Sequence, residues 1–97
     1  MKYDLAREMA KHYQKLYIIE NYIREEKQKN LYFHEYISLL NEIEFSKDFK
    51  QKLYKLVKVR NKICHMEILD IEEKKLLDLC YKEITKKEQK SNKTYTI

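Results

Sequence analysis

Neither glycine nor proline occurs in this chain, and that double absence constrains the fold more than any residue that is present. Hairpins and sandwiches draw their tight turns from Gly, Asn-Gly and Pro, so an all-β architecture is disfavoured. Rossmann and P-loop phosphate cradles need close backbone approach at glycine, which excludes both. With 97 residues there is room for one domain, and a domain of this size buries roughly 60–65% of its unfolded surface. No run of about 18 apolar residues is present, so no bilayer span is expected. The opening MKYDLAREMAK lacks the apolar stretch of a secretion signal. The expectation is a soluble, cytoplasmic protein.

The apolar periodicity is helical throughout. Leu5, Met9, His12, Leu16, Ile19 and Ile23 recur in steps of four and three, the seam of a bundle helix, with Tyr13, Tyr17 and Tyr22 flanking it. That pattern stops near Lys29 and Asn30. A shorter helix follows, with Phe33, Tyr36, Ile37, Leu40 and Ile43 inward. Ser46 reads as the N-cap of a third helix that has Asp48 in its first turn and buries Phe49, Leu53, Leu56, Val57 and Ile63. Asp70 and Glu73 stand at capping-box spacing before a fourth helix, whose core face is Leu76, Leu77, Cys80 and Ile84. From Glu88 the string EQKSNKTYTI carries no helical stripe. The reading is all-α. Residues 1–87 form a single antiparallel up-and-down four-helix bundle, and residues 88–97 form a polar tail, frayed or disordered.

The net charge of +5 is concentrated locally. Between Lys47 and Lys62 there are seven cations and one carboxylate, Asp48; between Lys82 and Lys93, five lysines face Glu83 and Glu88. Such stretches are either lysine-solvated helix faces or footprints for a polyanion such as RNA, DNA or anionic lipid. Cys64 and Cys80 form no CxxC pair and read as ordinary apolar side chains of a reduced domain. A metal site assembled from Cys64, His65 and Cys80 has no recognised ligand spacing.

One position breaks the stripe of the third helix. Counting from Phe49 through Leu53 and Leu56, the next inward slot falls on Arg60. A guanidinium at the margin of a core needs an anion close by. That anion is either a carboxylate of the first helix, with Glu20 best placed beside the seam, or a ligand phosphate. Asn61 follows, and His65 comes five residues after Arg60 within VRNKICHME. Five residues turn a helix by about 140°, so Arg60 and His65 leave on different sides, whereas Asn61 and His65, four apart, share one. All three serve one site only if the helix bends or ends near His65, or if a second copy of the chain completes it.

The string RNKICH resembles the signature of HEPN-domain proteins, an Arg followed by a polar residue and, after a few more positions, a His. Arg7 and His12 repeat the bare spacing, but Glu8 follows Arg7 and His12 sits mid-seam, so the second hit lacks the pattern. The resemblance covers the motif closely and the four-helix layout loosely. It implies a homodimeric, metal-independent endoribonuclease with no cofactor, in which two copies of the motif face each other across the dimer cleft. The setting it implies is toxin–antitoxin, abortive-infection or other phage-defence systems, with an antitoxin or regulatory protein as a partner. Some members are inactive and serve as RNA-binding or protein-interaction modules, which is the alternative for this chain. Where HEPN toxins paired with a nucleotidyltransferase carry a tyrosine two positions after the motif His, this chain has Glu67; it looks closer to abortive-infection types.

The residue types suit that chemistry. RNA cleaves itself when its 2′-hydroxyl attacks the adjacent phosphorus, given proton transfer and charge stabilisation. An imidazole can take up or release a proton at cellular pH, so His65 is the expected proton carrier. Arg60 is the expected bidentate phosphate ligand and Asn61 the expected group to orient the imidazole or donate to the phosphate, with Glu20 either a structural ion-pair partner of Arg60 or also its orienting group. Lys55, Lys58 and Lys62, beside the motif, are candidates for steering the RNA backbone. Arg24, one turn beyond Glu20, is a further candidate for the cleft. Of the nine tyrosines, Tyr13, Tyr17 and Tyr36 read as packing residues and Tyr54 as a candidate base-stacking ring.

Overall fold

The computed structural model describes residues 2–24, 31–41 and 43–95, with side chains described from 3 to 87 within those ranges. Four helices pack together: α1 (Lys2–Arg24), α2 (Phe33–Ser38), α3 (Lys47–Cys64) and α4 (Ile71–Tyr95), with no strand among the described residues. Local signals set their limits. The Ser46 hydroxyl accepts from the Phe49 N–H at 3.1 Å, capping α3. Asp70 and Glu73 exchange reciprocal backbone bonds, both 2.8 Å, ahead of α4. At α2, the Glu35 carboxylate accepts from the Tyr32 N–H at 2.9 Å.

The end of α3 is built without glycine. The Met66 N–H donates to the Ile63 carbonyl at 3.0 Å and the Glu67 N–H to the Lys62 carbonyl at 2.8 Å. This is the paired closure of a Schellman motif, with His65 as the C-cap. Met66 takes the left-handed position, φ 57°, where a Cβ is sterically unfavourable.

The core is continuous across all four helices. Ile19, Ile37, Leu53, Leu56, Cys80 and Ile84 are wholly excluded from solvent, with Leu16, Ile23, Phe33, Tyr36, Phe45, Val59, Ile63 and Leu77 nearly so. The expected seams of α1 and α4 hold except that Leu76 of α4 is half-buried and that, toward the start of α1, Leu5 is exposed and Met9 half-buried. Leu5 lies one turn before Glu8, which already meets the first turn of α4 through Lys74 at 2.8 Å, so little of the bundle remains to cover it.

Several expectations need correction. Ile43 is fully exposed, because α2 ends at Ser38 and a turn follows in which the Asn41 side chain accepts from the Ile43 N–H. Phe45 takes the inward place instead, stacked on Phe49 and edge-on to Tyr22. On α3 the inward slot after Leu56 is Val59, three residues on; Arg60 lies at the flank of the stripe and Val57 is half-buried. Strict up-and-down alternation also fails. Glu8 meets Lys74 and Lys15 meets Asp78, so α1 and α4 advance in the same direction. The cause is α2, whose six residues are too short to traverse the bundle. The expected end of the first helix near Lys29 and Asn30 lies outside the described residues. The helical backbone of α4 continues past the expected boundary at residue 88 as far as Tyr95. That stretch is lysine-rich and free of glycine and proline, so nothing in it breaks a helix.

Candidate functional site

The third helix presents two different faces near its end. On its outer side, Tyr54, Lys58, Asn61 and His65 follow one another at steps of four, three and four, and all are exposed. His65 is the C-cap, so its ring stands where the helix stops; its backbone N–H donates to the Asn61 carbonyl at 3.1 Å. Lys55 is exposed beside this stripe, and neither Lys55 nor Lys58 has a carboxylate within ion-pair distance among the described residues.

Arg60 points elsewhere. Its Nε–H donates to the Glu20 carboxylate of α1, forming an ion pair, and its guanidinium lies 5.9 Å from the centre of the Phe33 ring. Burial works against the Arg60 charge, but the hydrogen bond and charge of Glu20 outweigh it and hold the pKa above the ordinary arginine value. Arg24 lies nearby with its guanidinium 5.5 Å over the Tyr36 ring. Glu20, Arg24, Leu31, Phe33, Tyr36 and Arg60 line a shallow cleft of about 220 Å³.

Of the residues read from the sequence, the structure therefore joins Arg60 to Glu20 and sets Asn61 and His65 one turn apart on a common face. It does not join the two groups. Among the described residues no side-chain hydrogen bond or ion pair links Arg60 to Asn61 or His65, as the turn of about 100–140° between them requires. Lys62 departs from the role of an open RNA contact: it pairs with Glu73 at 2.8 Å, and that hydrogen bond raises the lysine pKa and lowers the glutamate's. Cys64 is exposed at the helix end, whereas Cys80 is buried on α4 and its thiol is pushed up to about 12 by burial. Among the described residues no cluster of three or more His, Cys, Asp or Glu side chains is arranged to hold a metal ion.

Reading the sequence for packing missed one feature. Tyr13 and Tyr17 are not core-flanking: they are 57% and 59% exposed and stack on each other, ring centroids 6.5 Å apart, whereas Tyr36 is buried. The four-residue spacing of two tyrosines beside a complete apolar seam was the available signal. Among the described residues no helix is long and apolar enough to cross a membrane. Comparison with protein-family models, curated proteins and solved structures finds no match.

Proposed function

We propose that this chain is a metal-independent endoribonuclease of HEPN type, working as a homodimer on cytoplasmic RNA. The resemblance of RNKICH supplies the class. The observation that carries the reading is the exposed stripe of Lys58, Asn61 and His65, ending where α3 ends. A proton carrier, a polar partner and a cation stand open to a strand, with a carboxylate-held guanidinium on the adjacent flank. A two-fold axis near the helix ends brings the Arg60 and His65 of two copies around one trough. In the reaction, one His65 removes the proton from the 2′-hydroxyl, whose oxygen attacks phosphorus. The bond to the 5′-oxygen breaks, and that oxygen takes a proton from the second His65. Arg60 stabilises charge on the phosphoryl oxygens. The products are a 2′,3′-cyclic phosphate and a 5′-hydroxyl, and the need for a 2′-hydroxyl confines the reaction to RNA. The setting is growth arrest or phage defence, held in check by an antitoxin or regulatory partner.

The test is product chemistry. Cleavage in EDTA should leave cyclic phosphate ends, and RNA 2′-O-methylated throughout should resist; metal-dependent cutting or 3′-hydroxyl products would overturn the reading. A second reading is favoured by the engagement of Arg60 with Glu20: an inactive HEPN-like bundle in which the arginine is structural and the module only binds RNA or protein. It predicts binding without cleavage.

A further inference from the structure

We propose that Tyr13 and Tyr17 of α1 form a stacking platform for unpaired RNA bases, with Arg24 holding the phosphate beyond them. The inference rests on the RNA-directed reading above and adds a site on a different helix. Along α1, Tyr13, Tyr17, Glu20 and Arg24 follow at steps of four, three and four, so they share one face. Both tyrosines are more than half exposed, and their ring-centroid separation of 6.5 Å lies at the wide end of ring stacking. The pair therefore still offers ring surface to a planar base.

Charge on this face suits a polyanion. Glu20 is the single carboxylate of the stripe, and Arg60 neutralises it. Arg24 is exposed and has no carboxylate within ion-pair distance among the described residues. Of the acidic residues earlier on α1, Glu8 is bound to Lys74 on the side that meets α4. Tyr17 and Arg24 are separated by about 10 Å of helix rise, which is about three stacked nucleotide steps of 3.4 Å. The platform is also level with the end of α3. Lys62 meets Glu73, and the adjacent Lys74 meets Glu8, whereas Arg60 meets Glu20; Tyr13 and Tyr17 lie between Glu8 and Glu20 along α1. Bases resting on the rings would leave the backbone running toward Arg24 and Arg60.

Binding is measured by fluorescence anisotropy with a labelled 12-mer of uridine and a 12-base-pair RNA duplex. The parent protein is His65→Ala, so that cleavage plays no part. The single strand should bind the parent more tightly than the duplex. Replacing both tyrosines with Ala should weaken single-strand binding by about tenfold or more, while replacing both with Phe should restore it. Arg24→Ala should weaken binding and lower the salt slope by about one. Circular dichroism checks that each variant keeps its helices. The proposal is overturned if the Ala pair binds as the parent does, if the Phe pair is as weak as the Ala pair, or if neither probe binds. It is also overturned if the Ala pair alters only the oligomeric state by light scattering, since the stripe is then a contact between copies. Cleavage by the protein with His65 intact is scored separately, so loss of the platform and loss of the nuclease reading are distinguishable.

Discussion

Glu20 of α1 grips Arg60 of α3 across 40 positions of sequence, and this pair holds the guanidinium on a different side of α3 from Asn61 and His65. The Arg60 and Glu20 side chains retain 34% and 18% exposure, so the pair sits between a surface salt bridge and a buried one. Its partner on the other side is the Phe33 ring. One ion pair thus ties α1, α2 and α3 together at the rim of the cleft.

A double-mutant cycle with Glu20→Gln and Arg60→Met should give a coupling energy of about 1–2 kcal/mol, above the exposed-pair range because the geometry is a charge-assisted hydrogen bond at a partly desolvated site. Urea unfolding of the four proteins measures it. A coupling indistinguishable from zero would mean that the contact is decorative.

Met66→Gly should stabilise the protein by about 0.5–1 kcal/mol. Methionine holds φ 57° in a closure that glycine enters without a Cβ clash. For a domain of this size that is a rise of roughly 2–8 °C in Tm, readable by calorimetry. A fall in Tm would show that the methionine side chain contributes more than its backbone strain removes.

Acid should weaken the fold through His12. The residue is 8% exposed, and its Nε2 has no hydrogen-bond partner among the described residues. Burial pushes its pKa below the ordinary 6.5; Glu8 opposes the shift, while Lys74 and Lys15 add to it. Asp4, Arg7 and Lys11 line the same surface groove. A lowered native value means that the unfolded chain binds the proton first. The associated stability is therefore complete above pH 6.5 and is lost as pH falls from there through the native value. Urea midpoints between pH 7.5 and 5 should drop, and His12→Leu should flatten that slope. Equal slopes in both proteins would contradict the assignment.

Much of this was legible because helical patterning acts locally. The Ser46 cap and the Asp70–Glu73 box depend on residues three apart, and the seam from Leu16 to Ile23 on a single period. The Glu20–Arg60 pair was readable as well, since a cation beside a core stripe demands an anion. What escaped depends on lengths and neighbours. Ile43 continues the α2 pattern, but nothing in its own spacing reveals that the helix has ended. Val59 and Arg60 are neighbours in sequence, three and four positions after Leu56, on a wheel whose period is neither three nor four. Tyr13 and Tyr17 flank the seam in sequence, and their exposure follows from where the other helices lie.

The most direct measurement compares RNA cleavage by wild-type protein and His65→Ala in EDTA, with oligomeric state and helical content recorded for both. A proton-carrying His65 requires that the wild-type dimer cuts, and that the variant retains dimer and helices while its rate falls by about a hundredfold or more, the scale of a lost proton-transfer group. Equal rates in the two proteins, or no cutting by a well-folded wild-type dimer, would contradict it.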